Sequence, residues 1–227
     1  VDYIDLYQIH GWDAGTPIEE TLRALNDLVR DGKVRYIGCS NVAARQLAKA
    51  LQISKANNWD AFVSLQAYYN VAGRDLEHEL LPLCREEDLG VLPWSPLAGG
   101  FLTGKFRRNQ KGPENARRAG FDFPPVDKNM AYDVVDVMEA MGKEKGASIP
   151  QMALAWLLHQ PGVTSPIIGA KTMKQLEDNI KSADVQLSEE ELGHISEVTQ
   201  PPKLYPQWML EFQQNRARMI REQQTVK

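Results

Sequence analysis

Apolar and polar positions along the 227 residues follow two rhythms, one of strands and one of helices. "YIDLYQIH" is a near-continuous apolar run ending at His10, the pattern of a parallel strand buried on both faces. "TPIEETLRALNDLVRDGK" then places Leu22, Leu25, Leu28 and Val29 on one stripe at helical spacing. Thr16 is positioned to cap that helix, with Pro17 as its first residue and Glu19 and Glu20 at the positive end of its dipole. Gly32 ends it.

The alternation continues. "VRYIGCSN", "AFVSLQAYYN", "VLPWSP" and "TSPIIGA" predict four more strands. Helices are predicted over "VAARQLAKALQISKANN", over "DLEHELLPLCREEDLG" despite Pro82, and over "AYDVVDVMEAMGKEKG", "IPQMALAWLLHQPG" and "TMKQLEDNIKSAD". A last one, "SEEELGHISEVT", has a capping box of Ser188 and Glu191. Residues 98–130 are too long for a simple connection and read as a functional loop. Residues 200–227 form a tail that mixes aromatic and basic residues. Five strand–helix units imply a single α/β domain with a parallel sheet. Each strand ends on polar or special residues: His10, Ser40 with Asn41, Gln66, Trp94 with Ser95, and Gly169 with Ala170. Parallel α/β folds build their sites on that edge.

Composition narrows the function classes. Hydrophobic residues at 43% and charged ones at 25% are ordinary for a globular domain. A net charge of -4 argues against nucleic acid or an anionic membrane as partner. Cys39 and Cys84 lack metal-type spacing and fit a reduced, cytoplasmic compartment. No apolar run approaches the roughly 20 residues of a membrane span, and the first ten residues do not resemble a signal peptide. Residue 1 is Val and the first methionine is Met130, so either a piece of a longer gene product or a removed start is expected.

The single motifs are ambiguous. "GGFLTGKF" matches the P-loop spacing at Gly99, Gly104 and Lys105, but Phe106 stands where magnesium needs Ser or Thr. What survives is an anion-friendly glycine turn with a lysine, or a solvated surface loop. "PIIGAKTMKQLEDNI" runs from strand through a glycine turn into a helix, with Lys171 beside the helix N-terminus. His10 alone favours a structural role over a catalytic one. His78 and His194 sit on charged helices, His159 suits a helix end, and no pair has metal-ligand spacing.

In combination these strand ends resemble the aldo-keto reductase family, a parallel (β/α)8 TIM barrel. "DYIDLYQIH", "GKVRYIGCSN", "QAYYNVAGRD", "GVLPWSPLAGGFLTGKF" and "PIIGAKTMKQLEDNI" are similar to its strands four to eight with the turns that leave them. The chain thus reads as a partial barrel of about five β/α units. The long loop and the "YPQW" tail look closest to bacterial members related to potassium-channel beta subunits.

The resemblance implies roles. His10 would orient a substrate carbonyl. Ser40, Asn41 and Gln66 would hydrogen-bond the nicotinamide carboxamide, and Trp94 would stack on its ring. Ser95, Leu97, Gly99 and Lys105 would hold the pyrophosphate. Gly169, Lys171, Gln175, Asp178 and Asn179 would hold the adenosine and its 2′-phosphate, with Asp178 replacing the commoner glutamate. Lys171 favours NADP(H), since a 2′-phosphate wants a cation. Arg107, Arg108, Arg117 and Arg118 form a basic cluster from which no one residue is assigned. Trp12, Tyr205 and Trp208 either line the substrate pocket or pack the rim.

The family's catalytic aspartate, tyrosine and lysine match nothing in this chain. The expectation is an NADP-dependent reductase of aldehydes or ketones whose turnover is impaired here, because the tyrosine general acid is worth on the order of 10²–10⁴ in rate. The alternative is an NADP(H)-binding regulatory or sensor module. Open sheet edges along Tyr3–Ile9 and Ser165–Ile168 would favour self-association.

Overall fold

The computed structural model describes residues 1–114 and 116–225. Asn115 of the predicted 98–130 loop and the last two residues of the 200–227 tail lie outside the described residues. Four parallel strands form one sheet in sequence order: β1 (Ile4–Ile9), β2 (Val34–Ser40), β3 (Phe62–Tyr68) and β4 (Gly90–Trp94). Helices α1 (Ile18–Arg30), α2 (Ala44–Asn57) and α3 (Leu80–Glu86) join them. A short helix α4 (Arg117–Gly120) lies in the long loop. After it come α5 (Lys128–Lys145), α6 (Ile149–Leu158), α7 (Met173–Ile180), α8 (Glu189–Val198) and α9 (Gln207–Thr225).

Strand alternation sorts the sheet into two faces. Ile9, Cys39, Leu65 and Val91 share one register row, and the last three are fully buried in the core with Leu22, Leu47 and Cys84. The alternate rows carry Gln8, Gly38 and Ser64, then Ser40, Gln66 and Leu92, then Tyr68 and Trp94. Gly38 is required in its row, because a Cβ there would collide with the Ser64 hydroxyl and backbone. The second part of the core is α6, whose Met152, Trp156 and Leu157 are fully buried, beside Val134 and Met138 of α5. That is where the continuous apolar run of "MALAWLL" goes.

Several expectations are corrected. β1 is not buried on both faces: Ile4 and Tyr7 are exposed, because β1 is an edge strand. Thr16 does not cap α1; its hydroxyl donates to Asp13 at 2.6 Å, and Pro17 precedes the first helical residue. The helix expected around Pro82 is broken at Glu79 into a 3₁₀ turn, Asp75–His78, and α3. Pro82 then falls in the first turn of α3, where its missing N–H leaves no ladder bond unmade. The fifth strand does not form. Val163 and Ile167 make only isolated parallel bridges to Val91 and Trp94, and Pro166 lacks the donor that would continue the ladder. The capping box of Ser188 and Glu191 is present.

Candidate functional site

The backbone after β2 and β4 is unusual, and His10, Ser40, Asn41 and Gln66 at the ends of β1 to β3 stand outside the lining of the cavity beside it. Asn41, Ser95 and Ala98 all have positive φ, near +50°, followed by Gly99 at +62° and Gly100 at +91°. Non-glycine residues in this region concentrate where a chain must turn sharply at a site. The Ser95 hydroxyl accepts the Gly99 N–H at 2.9 Å and fixes the turn after β4. Gly99 tolerates no side chain, since a Cβ would meet the Phe123 carbonyl.

A cavity of about 970 Å³ opens beside this turn. Trp94, Ser95, Leu97, Gly99 and Lys105 line one side. Gly169, Lys171, Gln175, Asp178 and Asn179 line the other. These ten residues, named from two separate stretches of sequence, line one cavity. Arg117 and Phe123 of the long loop also line it.

Local chemistry sets up each side chain. Thr172 caps α7 by accepting the Gln175 N–H, and the Gln175 side chain accepts the Lys171 N–H at 2.8 Å. The Asp178 carboxylate accepts from Ser148 Oγ and from Gln151 Nε2, both at 2.8 Å. Ser148 and Gln151 also form the capping box of α6, so that box orients Asp178. Sequence reading missed both residues, although an S-x-x-Q box before an apolar run was there to be seen.

Asn41 ties two strand ends together. Its Nδ2 donates to the His10 carbonyl at 3.0 Å and its Oδ1 accepts from Trp94 Nε1 at 3.1 Å. One amide hydrogen and one lone pair remain for a ligand. Ser40 is buried beside it and its Oγ has no partner. Gln66 is half-buried and pairs in register with Ser40. His10 is exposed, and Trp12 packs against the core instead of lining the cavity. Tyr205 and Trp208 are exposed and pack against each other in the tail, ring centres 5.9 Å apart.

The basic cluster separates into roles. Arg107 pairs with Asp136 and Glu139, and Arg108 with Asp133. Arg118 is buried; it donates to the Ala98 and Pro124 carbonyls and pairs with Asp122 at 2.7 Å. Lys105, Arg117 and Lys171 line the cavity, and among the described residues none of the three pairs with a carboxylate. Three cations without a paired carboxylate, against the single carboxylate of Asp178, leave the lining of this cavity net positive. Among the described residues no His, Cys, Asp and Glu cluster could hold a metal, and no helix is long and apolar enough to cross a membrane.

The family model for the aldo/keto reductase family matches residues 1–200. The chain belongs to the aldo/keto reductase family. It is similar to the versiconal hemiacetal acetate reductase of Aspergillus parasiticus, 36% identical over 90% of this chain and 60% of that protein. An uncharacterised oxidoreductase of Bacillus subtilis, YrpG, is 38% identical over 88% of this chain and 60% of its own length. The crystal structure of the thermostable aldo-keto reductase Tm1743 with the inhibitor epalrestat superposes with a TM-score of 0.68 at 32% identity, over 87% of this chain and 61% of that one. The chain therefore spans about three fifths of the length of these family members. The fold of the solved relative is the family's TIM barrel, and this chain has a sheet of four parallel strands.

Proposed function

We propose that this aldo/keto reductase chain binds NADP(H) in the 970 Å³ cavity and serves the reduction of an aldehyde or ketone to an alcohol. The observation that carries the reading is the set of unpaired cations, Lys105, Arg117 and Lys171, lining the cavity that Trp94 also lines. A dinucleotide with a 2′-phosphate presents phosphate groups at two separated places. Lys105 and Arg117 suit the pyrophosphate, and Lys171 beside the α7 N-terminus suits the 2′-phosphate. Asp178, held by Ser148 and Gln151, is poised to accept from the adenosine.

The residues present fit the cofactor at its other end too. The orphaned Ser40 Oγ needs a hydrogen-bond partner, since leaving such a group unmet costs about 1–3 kcal/mol. Asn41 keeps spare capacity next to it, and Trp94 offers an aromatic face held by Asn41. Bound NADP(H) would supply the hydride. His10 would donate a hydrogen bond to the carbonyl oxygen and fix its orientation. Within these 227 residues no tyrosine matches the family's proton donor, so cofactor binding with slow turnover is the expected behaviour.

β1 leaves one edge and apolar side chains of the sheet uncovered, which supports reading this chain as strands four to eight of the family barrel, able to pair with another strand. The deciding experiment titrates NADPH against NADH and follows nucleotide fluorescence, alongside reductase assays on a panel of aldehydes. NADPH preference that disappears in Lys171→Ala supports the proposal. Absence of any dinucleotide binding refutes it.

A further inference from the structure

The turn that leaves β4 and lines the cavity is held from behind. Ser95 sits at φ 53°, and Ala98, Gly99 and Gly100 after it are also at positive φ. Non-glycine residues persist in that region where their surroundings over-determine them. Two bonds come from the turn itself. The Ala98 N–H donates to the Ser95 carbonyl at 2.8 Å, and the Gly99 N–H donates to the Ser95 hydroxyl at 2.9 Å. A third bond comes from another strand end. Asn70 Nδ2 donates to the same Ser95 carbonyl at 3.2 Å, across 25 positions of sequence. That oxygen thus uses both of its lone pairs, which fixes the direction of the Ser95 carbonyl.

Asn70 is itself immobilised. It lies just past the end of β3, is fully buried, and stands outside the lining of the cavity. Its Oδ1 accepts the Ala72 N–H at 2.9 Å. Its backbone exchanges two hydrogen bonds with Gly73, at 3.3 and 3.0 Å. Position 73 requires glycine, because a Cβ there would lie 2.6 Å from the Tyr68 ring. Arg74 then ties this turn to two more elements. It pairs with Glu77 through Nε and Nη2, at 2.7 and 2.9 Å. Its Nη1 donates to the Ser196 carbonyl and the Thr199 hydroxyl at the end of α8, at 3.0 and 3.1 Å. Glu77 also accepts from the Tyr69 hydroxyl at 2.8 Å. Asn70 is therefore a fixed point from which the Ser95 turn hangs.

From this geometry we infer that Asn70 is a positioning residue for the dinucleotide: acting through Ser95 from outside the cavity, it holds the Ser95–Gly99 turn in the shape that receives the pyrophosphate. The inference rests on the cofactor reading of the cavity. Its physical basis is preorganisation. A turn that must be ordered when its ligand arrives subtracts that cost from affinity, whereas one already in shape does not.

The test compares the full chain with Asn70→Asp and Asn70→Ser. Both variants keep an oxygen that can accept the Ala72 N–H, and both lose the donor to Ser95. NADPH is titrated by fluorescence. Adenosine 2′-monophosphate, which has the 2′-phosphate and no pyrophosphate, is titrated by NMR. Both variants should bind NADPH about tenfold more weakly, the scale of one lost hydrogen bond, and keep adenosine 2′-monophosphate affinity within about twofold. A merely structural role would lower both affinities together. Equal weakening of the two ligands, or no weakening of NADPH, overturns the inference.

A second readout needs no nucleotide. Hydrogen exchange at the Gly99 amide should accelerate about tenfold in both variants, while the Glu191 amide, capped by Ser188 on α8, stays unchanged. Unaltered exchange at Gly99 overturns the inference, and so does failure of both variants to fold. If the unaltered chain binds no NADPH, the cofactor reading falls, and Gly99 exchange alone decides whether Asn70 holds the turn.

Discussion

The indole Nε1 of Trp94 donates to Asn41 Oδ1 at 3.1 Å, joining residues 53 positions apart at the ends of β4 and β2. The same Asn41 amide holds the His10 carbonyl. One side chain therefore sets the spacing of three strand ends, and it does so from a left-handed backbone position at φ 53°.

That arrangement separates hydrogen bonding from backbone strain. Asn41→Ala loses both bonds and keeps the strained position, so a loss of about 2–4 kcal/mol is expected in chemical denaturation. Asn41→Gly relieves the backbone and should cost about 1 kcal/mol less. Equal losses in the two variants would show that the φ 53° conformation carries no cost.

The unpaired cations should dominate nucleotide affinity. Lys105→Ala, Arg117→Ala and Lys171→Ala should each weaken NADPH binding by about tenfold, with a shallower dependence on salt. Only Lys171→Ala should reduce the preference for NADPH over NADH. Arg107→Ala, already neutralised by Asp136 and Glu139, should leave the affinity within about twofold.

The loop latch should respond to acid. Hydrogen bonding to Lys128, with Arg118 adding its charge, holds the Asp122 carboxyl below its usual value of 3.8. A depressed carboxylate contributes stability that is complete above the unfolded value and lost as pH falls through the lower folded one. Limited proteolysis of the 98–130 loop should stay slow at neutral pH and accelerate only below about 3.8. Arg118→Ala should make the loop sensitive at every pH. It removes charge-assisted bonds worth about 1.5–3 kcal/mol apiece.

The two thiols should be inert in the native chain. Cys39 and Cys84 are fully buried, and burial pushes their thiols up, to about 12 and about 11. Thiolate is the reactive form, so alkylation at pH 8 should modify neither cysteine until denaturant is added. Rapid labelling without denaturant would contradict the burial of both thiols in the core.

The uncovered sheet should be sticky. Ile4, Tyr7 and Tyr36 are exposed, Tyr36 to 59%, beside the free edge of β1. Light scattering should show mass rising with concentration, and Tyr36→Lys should suppress the rise. A clean monomer at all concentrations would refute this.

Much of this protein is decided by local spacing. The 3.6-residue stripe of α1, the capping boxes of α6 and α8, and the strands stopping at His10, Ser40 and Trp94 are settled within a dozen residues, and the sequence shows them. Even ten residues of the cavity lining were legible, because resemblance ties two short motifs to one ligand. Tertiary structure decided the rest. Whether β1 is buried depends on what lies beside the sheet, which its apolar run cannot state. Arg118 and Arg117 are adjacent in sequence, yet one is buried beneath the loop and the other faces the cavity. Asp178 takes its orientation from Ser148 and Gln151, about 30 residues away. Such partners meet only when elements pack, and hydrogen-bond direction at about 3 Å is a property of that packing, not of residue type.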